Sequence, residues 1–371
     1  MIGESQKRVN KSGLGGFHMS VEGSGVLHLI SNGSSRYVIV LGENASPSEE
    51  FAATELQEIL WQISGCRLPL TRDRDVVARD EHLIIVGKSS KLAQVEQNAG
   101  LEELGDEGFM IKTSGSNLIL AGGRLRGTMY AVYTFLESHL GCRWYSSSVS
   151  YIPRLEDVRI EAIEEKQRPA FEYREPFYFD AFDGHWAARN RCNGATARLD
   201  SKKGGNIRYQ GFVHTFYSLV PPQKYFAEHP EYFSLVDGKR TTERAQLCLT
   251  NPDVLRIATD EILKQMAAHP EATIFSVSQN DWYGACECAA CRRIDAEEGS
   301  HAGTLIRFVN AVAEVTAAQF PEKYLDTLAY QYTENTPRRV RPHDNVIVRL
   351  CHMRPCCDSH PLSECELNAN Y

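Results

Sequence analysis

Apolar and polar residues alternate in short runs over the first third of the chain, and longer strand and helix signals follow. Val26-Leu27-His28-Leu29-Ile30 and Tyr37-Val38-Ile39-Val40-Leu41 are β-rich runs separated by Ser31-Asn32-Gly33-Ser34, which predicts a hairpin. Ser46 precedes Pro47, and Glu49 follows three residues after Ser46. Together they make an N-cap, a first-turn proline and a capping box, so a helix should start there. Its apolar positions Ala52, Leu56, Ile59, Leu60 and Ile63 share a face, and Gly65 stops it. Strands are predicted at 82–86, 109–112 and 118–121, the last two joined by Ser114-Gly115-Ser116-Asn117. A second helix is predicted at 127–140, with Met129, Val132, Tyr133, Leu136 and Leu140 on one side. Residues 25–150 should therefore form an α/β sandwich, a mostly antiparallel sheet with two helices on one face. Residues 1–24 read as a loose polar lead-in, and the charged, proline-containing stretch 151–169 as a connector.

From 170 to 371 strands alternate with longer helices. Strand runs fall at 171–179, 207–216, 272–278, 325–332 and 346–350, and helices at 252–268, behind Asn251-Pro252, and 302–319. That order predicts a parallel β/α architecture. Five strands fall short of the eight of a complete TIM (β/α)8 barrel, so the expectation is an incomplete barrel and a fragmentary chain.

A length of 371 residues fits about two domains. Hydrophobic residues at 42% and charged residues at 24% fit a folded, soluble protein rather than a disordered one. No run approaches the ~18 apolar residues of a membrane helix. Lys and Arg number 40 against 48 Asp and Glu, a net charge of −8, which argues against nucleic acid as a partner. No apolar segment follows Lys7-Arg8, so the chain as given reads as cytoplasmic, or as secreted if a leader has been trimmed. Eleven cysteines, an odd count in a long chain, point to free thiols or a metal site rather than a full disulfide framework.

The glycines at 122, 123 and 127 match neither phosphate-loop pattern and read as a tight β-to-α turn. Phe51-Ala52-Ala53-Thr54-Glu55-Leu56 with Gly65-Cys66-Arg67-Leu68-Pro69 is the first of two matching stretches. The second is Gly127-Thr128-Met129-Tyr130-Ala131-Val132-Tyr133-Thr134-Phe135-Leu136-Glu137 with Gly141-Cys142-Arg143-Trp144-Tyr145. Both resemble the N-terminal accessory domain of α-glucuronidases and β-hexosaminidases, which precedes a catalytic barrel. His214-Thr215-Phe216, His229-Pro230-Glu231-Tyr232-Phe233, Gln246 to Pro252 and Ser276 to Asp281 resemble the mainly bacterial, glycoside-hydrolase-like family called domain of unknown function 4838. This resemblance implies a carbohydrate substrate and a two-domain sugar hydrolase.

The strand at 272–278 runs out into Gln279-Asn280-Asp281-Trp282-Tyr283, at the strand end where barrel enzymes place their chemistry. Glycoside hydrolysis uses two carboxyl groups, and aromatic rings stack on sugars. Asp281 is the first catalytic candidate and Glu334, after the next strand, the second; Asp281 as a turn cap and Glu334 as a loop residue are the other readings. A general acid at Asp281 needs partial desolvation against the neighbouring rings. Where the β-hexosaminidases carry an Asp-Glu pair, this chain has Asn280-Asp281. Asn280, Trp282 and Tyr283 are candidate substrate contacts, as are His214 and Arg349 at strand ends, for which structural roles stand equally.

Cys286, Cys288 and Cys291 have knuckle-like spacing, and Cys351, Cys356, Cys357 and Cys365 cluster later. Zinc on Cys286, Cys288, Cys291 and a residue of the later loop, Cys356, is one reading; reduced thiols or a local disulfide is the other. Hydrolysis itself requires no cofactor. Three functions remain open: an O-glycosyl hydrolase, a non-catalytic carbohydrate-binding protein on a degenerate barrel, and a structural zinc-binding domain.

Overall fold

The computed structural model describes residues 25–76, 82–351, 361 and 364–366. Contacts divide the chain into two units: residues up to Cys192 with Ala197–Gly205, and Asn193–Thr196 with the residues from Asn206 onward. The first contains β1 (Leu27–Ile30), β2 (Tyr37–Leu41), α1 (Pro47–Ser64), β3 (Leu70–Arg72), β4 (His82–Val86), α2 (Ser90–Val95), β5 (Phe109–Ser114) and β6 (Asn117–Gly122). It continues with α3 (Gly127–Ser138), β7 (Arg143–Trp144), β8 (Ser150–Tyr151), β9 (Val158–Ile160), β10 (Glu164–Gln167) and α4 (Gly184–Arg189). Helix α1 starts as the capping box dictates: Ser46 accepts from the Glu49 amide, and the Glu49 carboxylate accepts from the Ser46 amide. It ends at Gly65, whose φ of 75° favours a residue without a Cβ.

Six strands form the main sheet in the order β10-β5-β6-β4-β2-β3. β3, β2, β4 and β6 run parallel, and β5 alone is reversed, which makes its pairs with β6 and β10 antiparallel, so the expected mostly antiparallel sheet is corrected. Parallel neighbours need long crossovers, and α1 and α2 provide them. The expected first hairpin does not form either. β1 pairs with β9, while Ser31 and Ser34 only bridge to each other. Side chains alternate across the sheet: Ile39, Ile84, Leu118 and Leu120 pack towards α1 and α3, whereas Val40, Leu83, Ile85 and Ile119 pack with Leu92 of α2. The glycine turn is closely packed, since a Cβ on Gly123 would lie 2.0 Å from the Gly105 oxygen. The amides of Arg126 and Gly127 both donate to Asp106, leaving no open anion cradle there.

The 151–169 stretch contributes strands to this unit. Val158-Arg159-Ile160 buries its alternate residues against β1, and the charged Glu164–Gln167 is an edge strand, where charge blunts further pairing. The expected strand at 171–179 is absent; Arg174 there bonds to Glu107 at 2.8 Å and to the Arg191 carbonyl at 2.7 Å instead of joining a ladder.

The second unit contains β11 (Tyr209–Gln210), α5 (Phe216–Leu219), α6 (Pro222–Tyr225), β12 (Leu235–Val236), β13 (Lys239–Arg240), α7 (Pro252–Ala268) and β14 (Ile274–Ser276). After these come α8 (Ala289–Glu298), α9 (His301–Gln319), β15 (Tyr324–Ala329) and β16 (Val346–Leu350). β11, β14, β15 and β16 form a parallel sheet in that order. Among the described residues no sheet closes into a barrel, and the four parallel strands form an open sheet. The 207–216 run keeps only two strand residues because left-handed Gly211 (φ 63°) and His214 (φ 59°) turn the chain away. No helix of the described residues is long and apolar enough to cross a membrane.

Candidate functional site

The period of two along β14, β15 and β16 gives the second sheet two unlike faces. Phe275, Val277, Leu325 and Val346 pack with Val254, Ile262, Phe308 and Val312 of α7 and α9. Ser276, Ser278, Asp326 and Arg349 occupy the opposite positions. On that face Arg349 donates to Asp326 Oδ2 at 3.1 Å, Tyr209 reaches the same oxygen at 3.4 Å, and the guanidinium lies 4.5 Å from the Phe212 ring centre. Burial pushes the Asp326 carboxyl up to about 6, with Arg349 pulling the other way. The two effects compete, and burial wins because Asp326 is fully enclosed, while its Oδ1 receives no donor among the described residues.

Beyond β14 the chain continues as Gln279–Tyr283. Gln246 fastens it: its Oε1 accepts from the Asn280 amide at 2.8 Å, and its Nε2 donates to the carbonyls of Asn280 and Trp282. Asn280 is buried with its side-chain amide donating to the Ala245 carbonyl at 2.9 Å, so it secures the loop. Asp281, Trp282 and Tyr283 are exposed. Asp281 Oδ1 accepts from the Tyr330 hydroxyl at 2.9 Å and from Gln331 Nε2 at 3.2 Å. Burial raises the Tyr330 hydroxyl above its ordinary value, and the Asp281 carboxylate adds to the rise. His214 donates its amide to Ser278 Oγ and its Nδ1 hydrogen to the Gln279 carbonyl, both at 2.8 Å, and its ring centre lies 6.0 Å from that of Tyr330. The Arg244 guanidinium lies 5.6 Å from the Trp282 ring.

Three residues of this group have left-handed backbones without being glycine: His214 at φ 59°, Arg244 at 47° and Gln331 at 52°. Such conformations persist where the surroundings impose them, and they concentrate at functional sites. Gln279 Oε1, Gln331 Oε1, Asp326 Oδ1 and Thr327 Oγ1 in the second unit are buried without a hydrogen-bond partner among the described residues.

Asp281 and His214 thus gather around Tyr330, and the exposed Trp282 lies beside Arg244. Arg349 belongs to the Asp326 pair on the sheet, and Glu334 lies half-buried just after the turn Gln331–Thr333. Tyr330, Gln331, Gln246 and Asp326 were not singled out in the sequence. Asp326 carried a signal, being an acid within the apolar run Tyr324-Leu325-Asp326-Thr327-Leu328.

The cysteines form a second centre. The sulfurs of Cys248, Cys286, Cys288 and Cys291 all lie within 4.8 Å of one another, the metal-competent group found among the described residues. Cys248, not expected in this role, stands where Cys356 was placed; Cys356 lies outside the described residues. Hydrogen bonds from Cys286 and Cys291 to the Cys248 sulfur push that thiol down, and the same contacts push Cys286 up to about 11 and Cys291 up as well.

Residues 144–369 match the family model described as Domain of unknown function (DUF4838), and residues 29–135 match Glycosyl hydrolase family 67 N-terminus. The curated proteins contain no match to the chain. Among solved structures, it is similar to a family GH115 4-O-methyl-α-glucuronidase with specificity for decorated arabinogalactans. That likeness has 14% identity, 83% of this chain and 43% of that chain covered, and a TM-score of 0.44. It is also similar to a Flavobacterium johnsoniae chitobiase, at 12% identity, 87% and 52% coverage and a TM-score of 0.47. The chain spans about half the length of these two proteins.

Proposed function

Because the chain belongs to the family Domain of unknown function (DUF4838), whose model spans more than half of it, we propose that its second unit acts on carbohydrate at Asp281 and that O-glycosidic hydrolysis is the reaction. The observation that carries this reading is the oriented carboxylate. Tyr330 and Gln331 both bond to Oδ1, and Oδ2 has no partner among the described residues. Oδ2 is then the atom that accepts a hydrogen bond from a sugar hydroxyl or a proton from an attacking water. The exposed rings of Trp282 and Tyr283 offer flat apolar faces for a pyranose. Glu334 is proposed as the second carboxyl group, acting as acid, base or nucleophile according to its separation from Asp281. The match of residues 29–135 to a glycosyl hydrolase N-terminus supports the same substrate class.

One observation favours a second reading, a carbohydrate-binding protein without turnover. Asp281 is exposed and acts as a hydrogen-bond acceptor, whereas a general acid needs a desolvated carboxyl that keeps its proton. A panel of aryl glycosides separates the two. Hydrolysis predicts turnover by the native protein and losses of ~10²-fold in Asp281→Asn and Glu334→Gln. Saturable oligosaccharide binding without turnover, lost in Trp282→Ala, selects the binding reading. Absence of both removes the carbohydrate site.

A further inference from the structure

We propose that Cys248, Cys286, Cys288 and Cys291 together bind one zinc ion, in a closed structural site that fastens the loop carrying Asp281, Trp282 and Tyr283. The first ground is geometry. A tetrahedral zinc with Zn–S bonds of ~2.3 Å places its sulfurs about 3.8 Å apart. The Cys248 and Cys288 sulfurs are 3.7 Å apart and the whole set lies within 4.8 Å, so one ion meets all four after only small side-chain adjustments. A disulfide needs ~2.05 Å, and four mutually close thiols have no single preferred pairing.

The second ground is how the backbone brings the sulfurs together. Cys288 is the N-cap of α8 and Cys291 lies in its first turn, a placement where the helix end favours thiolate charge. Cys248 is 40 residues from Cys288 in sequence. It arrives because its amide donates to the Tyr232 carbonyl at 2.8 Å and because Gln246 grips the 280–282 backbone. The third ground lies around the sulfurs. The Leu235 amide donates to Cys286 Sγ at 3.4 Å and Arg240 Nη1 to the same atom at 3.6 Å. N–H donors aimed at sulfur, one of them cationic, are the outer partners that offset the negative charge of a zinc bound by four thiolates. On binding, each thiol releases its proton to solvent and its sulfur lone pair forms the bond to zinc, with no change of oxidation state. Four protein ligands leave no open position, so the ion acts on loop stability and not as a Lewis acid.

The test uses the full chain purified under reducing conditions without chelator. Elemental analysis should find about one zinc per chain, and cobalt(II) reconstitution should give the thiolate charge-transfer and visible ligand-field bands of a tetrahedral sulfur site. Cys248→Ser should lower zinc affinity at least tenfold, measured by competition with a chromogenic chelator, while Cys356→Ser leaves it unchanged. Alkylation mapping of the unmutated protein covers the case in which Cys248→Ser does not fold. Zinc should shield Cys248, Cys286, Cys288 and Cys291, and chelation should expose them, with no such change at Cys356. A zinc-free preparation that takes up neither zinc nor cobalt would overturn the proposal, as would shielding of Cys356 in place of Cys248. This result is independent of glycoside turnover, so it stands or falls separately from the carbohydrate reading.

Discussion

The two sheets of this protein are built on different patterns. In the first unit, β4 buries Ile84 and Val86 on one side and Leu83 and Ile85 on the other, and β6 does the same with Leu118, Leu120 and Ile119. Both faces are apolar and both are covered. In the second unit, β14 and β15 turn Phe275 and Leu325 towards helices but place Ser276 and Asp326 on the reverse. A strand with two apolar faces presents no polar side chain along its length, because an unpaired polar group there would lose its water without compensation. A strand with a polar face has been built around partners, here Arg349 and Tyr209 for Asp326. The loop carrying Asp281 leaves from the second kind of sheet.

The comparison breaks most readily by exchanging the patterns. Leu120→Asp puts a carboxylate into the first sheet where Leu120 is fully buried. An uncompensated buried charge costs about 3–5 kcal/mol, so urea titration should show a large loss of stability or no folded protein. Tolerance of this change would mean that the two sheets do not differ as described.

Next in size is a pH effect of Asp326. Its folded-state value of about 6 lies above the ordinary 3.8, so the folded chain holds this proton more tightly than the unfolded chain. The resulting stabilisation is complete below 3.8 and is lost as pH rises through about 6. It amounts to roughly 3 kcal/mol. Asp326→Asn removes the titration, so the wild-type-minus-variant stability, followed by denaturant midpoints from pH 3.5 to about 7, should fall with pH. A flat difference contradicts the burial of Asp326.

Tyr330→Phe deletes one of the two donors to Asp281 while keeping the ring. A hydrogen bond to a charged group at an exposed position should be worth about tenfold or less in sugar binding or turnover, with little change in stability. Smallest of all is Arg67→Ala. Its ion pair with Glu58 is 56% and 37% exposed, so calorimetry should register a change within about 0.5 kcal/mol.

Much of the scaffold was legible in the chain itself. Ser46, Pro47 and Glu49 mark the start of α1 through local hydrogen bonds, and Asn251 with Pro252 marks α7 in the same way. The positions of β2, β4, β5 and β6 in the first sheet were also legible, but β3 and β10 were not, and neither was the strand order, since apolar runs do not say whether a neighbour arrives by a hairpin or a crossover. The Asp281 loop was visible as polar and aromatic residues directly after a buried run. Its partners were not, because Tyr330 and Gln331 reach Asp281 only through the parallel pairing of β14 with β15. Cys248 was hidden for a related reason: a lone cysteine becomes a cluster member only after Gln246 has joined two distant loops. The division of the chain was obscured by charge, which marks the edge strand Glu164–Gln167 as readily as it marks a linker.

The central claim is that the polar side of the second sheet ends in a carbohydrate site at Asp281, Trp282 and Tyr283. The most direct test screens the full chain on an array of immobilised oligosaccharides and then titrates the best binder calorimetrically against the native protein and the double variant Trp282→Ala, Tyr283→Ala. The account predicts saturable binding that weakens at least tenfold in the double variant, with thermal stability unchanged because both rings are exposed. Equal affinity in the two proteins would place carbohydrate recognition elsewhere and contradict the account.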